Sequence, residues 1–536
     1  MPALANIPTF TQVLVIGGGP AGSYAATVLA REGFDVTLLE KDFFPRYHIG
    51  ESMLPSCRSF LQFIDAEEKV KKHGFAKKPG AAVKLHQHKR EGYTDFVAIN
   101  PEHGAWNVVR SEFDEILLRH AASCGVKVHE GIRVTSLEFE EPGNATATCF
   151  ENRKAKSASW SSDTCCGKIA FDWIIDASGR TGIISTKYLK NRQFNKALRN
   201  VAAWGYWTGG SVYMPSTKRE NAPWFEALTD ESGWAWFIPL HNGTTSVGIV
   251  QSEENSREKR ARLRETMPAD DVTKALYLQD IGLAPGMQKM LADAKLKSKE
   301  IRQAGDYSYS AKAYAGKNWR LAGDAGAFID PFFSSGVHLA FAGGLSAASS
   351  IASSIRGACC EEESANFHNL KVGTAYTRFL LVVLSVYRQI RAQESMALTD
   401  IDEDNFDRAF DIWRPIIQGK TEVDPELTQK EILNTMEFCK NVVAPTQPEM
   451  VEAVKSRFPL LFADGAPALT PEKVESMTEV DGTPLDEDTR NVLLRNSARK
   501  ITNALYDGTR HFGSEVLGGF YVNLVRGHLG LVRASI

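Results

Sequence analysis

An uninterrupted apolar run, Val13-Leu14-Val15-Ile16, leads directly into Gly17-Gly18-Gly19-Pro20-Ala21-Gly22, and a second β-branched and apolar run after Asp35 ends at Glu40. An apolar run of this length bounded by glycines predicts a strand buried on both faces, and the whole segment predicts strand, turn, helix and second strand of one βαβ unit. The same kind of strand returns at Phe171-Asp172-Trp173-Ile174-Ile175-Asp176, which runs into Ala177-Ser178-Gly179, and again at Trp319-Arg320-Leu321-Ala322 before Gly323-Asp324. Helical spacing between Val108 and Ala122 places Arg110, Phe113, Ile116, Leu117 and His120 together, Phe60 to Val70 is also helix-periodic, and a small-residue apolar helix is expected over His338 to Ile355. Alternation near Gly80 to Ala98, and the aromatic and β-branched richness from Val201 to Ala311, predict a second sheet carrying Trp204, Tyr206, Trp207, Trp234 and Trp236. Beyond Glu361 the pattern becomes helical and charged, and residues 444–482, punctuated by Pro445, Pro448, Pro459 and Pro467, are expected to be loop-rich.

The glycine turn carries the first chemistry. Gly17 allows the tight turn, Gly19 lets the backbone approach a pyrophosphate at a helix N-terminus, and Gly22 permits close packing of helix on strand. With Gly18 and Ala21 they form a dinucleotide-binding turn, and Glu40 stands where a carboxylate accepts from ribose hydroxyls. The later turn at Gly323-Asp324-Ala325-Gly326 places Asp324 to bond the ribityl chain of a flavin, so the chain leaves the nucleotide domain and returns to it. Arg46, Glu51 in Gly50-Glu51-Ser52, and Arg110 are further cofactor-binding candidates, Arg46 toward phosphate and Glu51 toward ribose or ribityl hydroxyls. The expected fold is therefore α/β: a Rossmann-like FAD domain of the flavoprotein monooxygenase kind, an inserted β-sheet substrate domain and a mainly helical C-terminal region. The expected boundaries are 1–70, 108–195 and 312–360 for the FAD domain, 71–107 and 196–311 for the substrate domain, and 361–536 for the helical region.

Composition narrows the function classes. The 536 residues carry 62 basic against 65 acidic side chains, which leaves no electrostatic footprint for nucleic acid. The eight cysteines include the vicinal pairs Cys165-Cys166 and Cys359-Cys360 but no CxxC, so neither a metal site nor a disulfide framework is indicated and a reducing, cytoplasmic location is expected. The longest apolar stretch, Phe379 to Leu384, is far too short to span a bilayer.

These residues resemble the flavin-dependent halogenases, most closely the fungal enzymes that chlorinate phenolic polyketides, and the resemblance extends over most of the chain. Its distinctive element is Trp234-Ala235-Trp236-Phe237-Ile238-Pro239, matching the WxWxIP signature thought to keep these enzymes from acting as simple monooxygenases. Taken alone, two Trp residues at alternate strand positions would more often be core. The resemblance further implies that Lys78, in Gly74-Phe75-Ala76-Lys77-Lys78-Pro79-Gly80-Ala81, receives hypohalous acid, that Ser335 and Gly336 hold halide, and that Val337 contacts the flavin. Halogenases acting on indole carry a Glu three residues before that glycine, where this chain has Phe333. The missing carboxylate points to a phenol, which is activated by its own ionisation with an ordinary pKa of about 10.

The resemblance implies reduced FAD, dioxygen and chloride or bromide as reactants, a phenolic small-molecule substrate and a separate flavin reductase. A rival reading is an aromatic hydroxylase of the same flavoprotein fold, although Asp176-Ala177-Ser178-Gly179 departs from the Asp-Gly arrangement those enzymes use with nicotinamide. A third is a flavoprotein that has lost catalysis and serves as a binding subunit.

Overall fold

The computed structural model describes residues 7–391, apart from 86, 89, 90, 98–100, 141–149, 151, 152, 306 and 307, together with most of 448–496 and residues 512–534. In chain order, β1 (Phe10–Ile16), α1 (Pro20–Arg31) and β2 (Val36–Leu39) form the opening βαβ unit, followed by β3 (Ala76–Lys78), β4 (Gly80–Lys84), β5 (Gly92–Asp95) and β6 (Ala105–Asn107). Next come α2 (Arg110–Ser123), β7 (Lys127–His129), β8 (Cys166–Asp176), β9 (Asn200–Thr208), β10 (Trp224–Ala227), β11 (Gly233–Pro239) and β12 (Thr245–Ser252). Strand β13 (Trp319–Leu321) then leads to the long helices α3 (Gly336–Arg356) and α4 (Glu361–Ile390).

One sheet runs β13-β8-β1-β2-β7 with all these neighbours parallel. Val13, Leu14 and Val15 have no exposed surface, as their continuous apolar run requires in a sheet covered on both faces. Helices α1 and α3 cover one of those faces, and small residues set how closely they meet: a Cβ on Gly344 would lie 2.8 Å from the Ala21 carbonyl oxygen. That close approach explains why the α3 sequence is built from Ala, Gly and Ser.

The second sheet runs β9-β12-β11-β10-β4-β5, antiparallel except for the parallel β10–β4 pair. Strand β11 is buried along its whole length, so its two-residue alternation separates two cores. Trp234, Trp236 and Ile238 join the core between the sheets, while Ala235 and Phe237 join the core beneath the helix Ala269–Ile281.

Two expectations need correction. Phe60 to Val70 is not one helix: helices Cys57–Phe63 and Glu67–His73 are separated at Asp65, whose backbone is left-handed with φ 60°. Among the described residues of 444–482 the chain is less loop-like than its prolines suggest, because Pro448, Pro459 and Pro471 each start a helix, where the missing N–H costs nothing, while Pro445 and Pro467 lie outside the described residues. Residues 392–447, part of the region expected to be helical, lie outside the described residues. After them the chain also contains a β-hairpin, Phe520–Asn523 with Gly530–Arg533, packed against α3.

Candidate functional site

The C-terminal ends of the parallel strands open on a cavity of about 500 Å³ that continues under the second sheet. That volume is within the range of small-molecule sites. Its lining includes Gly17, Gly19, Ala21, Glu40, Arg46, Glu51, Arg110, Asp324, Gly336 and Val337, together with Trp234 and Trp236. Gly18, Gly22, Pro239, Ser335 and Lys78 do not line it.

The glycines divide into two kinds. At Gly17, φ is 101° and a Cβ would lie 2.3 Å from the Ala177 carbonyl oxygen, and at Gly22 a Cβ would lie 1.9 Å from the Gly17 carbonyl oxygen. Both are demanded by the fold itself. A Cβ at Gly19 would meet only the Arg46 Nη2, at 3.5 Å, so the protein alone leaves room there. Glu40 supports the turn, because its Oε2 accepts from the Gly18 N–H at 2.6 Å and its Oε1 from the Asp42 N–H at 2.9 Å.

In the cavity lining, Arg46 and Arg110 share one buried carboxylate. Asp114 accepts from Arg46 Nη1 at 2.7 Å and from Arg110 Nε at 2.8 Å, and Arg110 Nη1 also donates to the Ile49 carbonyl at 2.9 Å. Burial pushes the Asp114 carboxyl up, but Arg110 and Arg46 together hold it below its ordinary value. Burial also raises the Asp324 carboxyl to about 6, with Arg110 opposing, and the Glu51 carboxyl to about 7. Glu51 Oε1 accepts from the Tyr206 hydroxyl at 2.7 Å.

Trp234 is wired to the turn before α3. Its Nε1 donates to the Tyr387 hydroxyl at 2.7 Å, and that hydroxyl donates to Asp330 Oδ2 at 2.7 Å. Asp330 Oδ1 in turn accepts from the Phe332 N–H at 3.2 Å and so caps the short turn Pro331–Phe333. Burial lifts the Asp330 carboxyl to about 6. Just beyond, Ser334 is left-handed (φ 55°), and the Ser335 Oγ is buried with no hydrogen-bond partner among the described residues. Trp236 lies over Gly248 of β12, where a Cβ would be 2.1 Å from the indole.

Lys78 is 1% exposed, whereas its neighbour Lys77 is exposed. Its Nζ donates to the Met53 carbonyl at 2.8 Å and lies 5.3 Å from the centre of the Phe96 ring. Burial lowers its pKa to about 7, with Cys57 a small opposing influence. The segment Glu51 to Met53 connects it to the cavity: Glu51 and Ser52 line the cavity, and the next residue, Met53, accepts from Lys78. The Ser52 Oγ within that segment is buried without a hydrogen-bond partner among the described residues.

The tryptophan halogenase family model matches residues 12–108 and 97–405. The flavin-dependent halogenase armH1 of Armillaria mellea is 58% identical over 532 residues, covering 98% of this chain and 99% of that protein. This chain belongs to the flavin-dependent halogenases. The sulochrin halogenase gedL of Aspergillus terreus is 44% identical over 541 residues, covering 99% of this halogenase and 94% of that enzyme. Among solved structures, the flavin-dependent halogenase CmlS matches with a TM-score of 0.67 and 25% identity, covering 98% of this chain and 85% of that one. The myxobacterial chondrochloren halogenase CndH matches with a TM-score of 0.62 and 27% identity, covering 82% and 99%. The enzyme uses reduced FAD, halide and dioxygen.

The halogenase cavity fits such a cofactor: a glycine turn left open at Gly19, two arginines in the lining and a half-buried acid at Asp324. Asp114 and Tyr387 escaped the sequence reading. Asp114 follows Arg110 by one helical turn, a spacing that marks a paired acid on α2, but nothing local to Tyr387 announces that it bonds Trp234. Where the chain departs from the Asp-Gly arrangement, the Asp176 carboxylate accepts from the Ser178 N–H and hydroxyl and from the Ile184 N–H.

The difference between the glycines predicts distinct mutant behaviour. Gly19→Val is expected to fold and to lose FAD affinity by at least about tenfold, about 1.4 kcal/mol, whereas Gly22→Ala is expected not to fold stably. Fluorescence titration with FAD, alongside circular dichroism of each apoprotein, checks both outcomes. Undiminished FAD affinity in folded Gly19→Val would overturn the assignment.

Proposed function

We propose that this halogenase installs chlorine or bromine on the ring of a phenolic, polyketide-type small molecule, with hypohalous acid made in the flavin cavity and used at Lys78. The observation that carries the reading is the burial of Lys78 beside the cavity wall, which lowers its pKa to about 7. A desolvated lysine at that value offers a neutral amine at working pH, and an amine either captures halogen or hydrogen-bonds the acid.

In this reading the turn Gly17 to Gly22, Glu40, Arg46, Arg110, Glu51, Asp324 and Val337 hold FAD. Arg46 and Arg110 supply fixed positive charge toward phosphate, and Asp114 holds both guanidinium groups in place. Bound in its reduced form, FAD would supply two of the four electrons that dioxygen accepts and halide the other two, so that halide, a proton and one oxygen atom become hypohalous acid and the second oxygen atom leaves as water. Ser335 and Gly336 hold the halide, because the first N–H groups of α3 lack helical partners and the Ser335 hydroxyl is buried and unbonded among the described residues. Trp234, through Tyr387 and Asp330, keeps that turn in place, and with Trp236 fills the space in which a substrate ring would meet the flavin directly. The ring carbon then forms its bond to halogen and gives up a proton, and the oxygen of the acid leaves as water. Keeping the two sites apart shields the oxidant from water.

Phe333 and the relative named for sulochrin support a phenol over an indole. A separate reductase is proposed to supply reduced FAD. With an added reductase, NADH, FAD, air and a phenolic panel, mass spectrometry is expected to show a halogenated product only when chloride or bromide is present. Substrate-stimulated NADH oxidation without a reductase, together with a product gaining oxygen, would assign a hydroxylase instead.

A further inference from the structure

Three side chains with metal-binding chemistry converge outside the flavin cavity. His73 ends the helix Glu67–His73, Glu112 lies in the first turn of α2, and His241 sits between β11 and β12. Glu112 Oε2 is 2.6 Å from His73 Nε2 and 3.1 Å from His241 Nε2, and the three candidate ligand atoms all lie within 4.8 Å of one another. The two imidazole rings stand 5.5 Å apart, and Phe75 packs against both at 4.3 and 5.1 Å. The other ring nitrogen of His241, Nδ1, is buried without a hydrogen-bond partner among the described residues.

We propose that His73, Glu112 and His241 bind one divalent cation of the zinc class, with solvent completing its coordination. Two imidazole nitrogens and a carboxylate oxygen form a borderline donor set suited to zinc. Tetrahedral bonds of about 2.0–2.2 Å place neighbouring ligand atoms about 3.3 Å apart, so side-chain adjustment alone converts the present spacing into a coordination shell. Both imidazoles already aim their Nε2 atoms at the same carboxylate oxygen, and a cation between them replaces that competition with two dative bonds. Phe75 restricts both rings to this arrangement.

The position gives the cation its role. His241 lies two residues past Pro239, the last residue of the strand that carries Trp234 and Trp236, and Glu112 follows Arg110 by two residues on α2. A cation therefore cross-links the end of the Trp strand to the helix that carries the arginine pair, and it binds the folded state more tightly than the unfolded chain. No sequence spacing announces such a site, because its three ligands come from three separate elements.

The test uses the full, flavin-loaded chain without a histidine tag, stripped with a chelator and dialysed. Equilibrium dialysis with zinc chloride and metal analysis are expected to give one zinc per chain, and zinc is expected to raise the thermal midpoint by several degrees. Cobalt chloride in place of zinc is expected to produce the visible absorption of a tetrahedral site. His73→Ala and His241→Ala should each weaken zinc binding at least about tenfold and remove the zinc-dependent rise in midpoint. Failure of the wild-type chain to retain zinc at micromolar concentration, or unchanged zinc affinity in both variants, overturns the proposal. If a variant fails to fold, wild-type stoichiometry and the cobalt spectrum still decide it.

Discussion

Lys78→Ala is expected to lower the rate of product halogenation by about 10²–10⁴-fold while FAD affinity stays at its wild-type value. The lysine stands behind the segment Glu51 to Met53 rather than in the flavin cavity, so its loss should spare cofactor binding and oxygen consumption. Lys77→Ala should remain within about twofold, because that side chain faces solvent and surface substitutions of this kind change little. Lys78→Met keeps most of the buried volume and removes the amine, which separates lost chemistry from lost packing. The folded-state pKa of about 7 lies below the unfolded value of about 10.4, so burial of Lys78 opposes folding below pH 7 and that opposition fades as pH rises toward 10. Lys78→Met should therefore be more stable than wild type at pH 6, with the advantage shrinking above pH 8. Wild-type halogenation should increase with pH through about 7 as the amine becomes neutral. Product mass spectrometry and urea melts at several pH values check these outcomes; a Lys78→Ala enzyme halogenating at near wild-type rate would reassign the acceptor.

Asp114→Ala is expected to lower stability by about 3–5 kcal/mol and to abolish measurable FAD binding. The carboxylate has no exposed surface and is the shared partner of Arg46 and Arg110, so its removal leaves two guanidinium groups in the cavity lining without their acid. Burial favours a neutral Asp114, and the surrounding charges, Arg110 first and then Arg46, hold it in the charged form, so the three groups behave as one unit. Asp114→Asn retains hydrogen-bond acceptance at one oxygen and should fall between the two. Urea unfolding with FAD titration reads both quantities, and a fully stable, flavin-binding Asp114→Ala protein would show that the arginines need no partner.

The parallel sheet was legible because strands covered on both faces leave an unmistakable apolar run, as Val13 to Ile16 does. The glycine turn was equally readable, since Gly17 and Gly22 answer steric demands that any folded version of this turn imposes. What could not be read was partnership at long range. The bonds from Trp234 through Tyr387 to Asp330 join residues from three regions of the chain, and no local pattern records them. Proline read as a loop signal misled at Pro448 and Pro459, each of which opens a helix. The break at Asp65 was missed because its left-handed backbone interrupts an otherwise continuous helical period.

Gly248 and Trp236 have a consequence for how the substrate range of such an enzyme can drift. The indole occupies the volume that any side chain at 248 would fill, and Trp204 flanks the same glycine on the other neighbouring strand. A smaller residue at 236 alone leaves a hole in the wall, and a larger one at 248 alone collides with the ring. Positions 236 and 248 are therefore expected to change together across lineages, large for small and small for large, and a library that randomises only one of them explores a chamber whose shape has already been decided by the other.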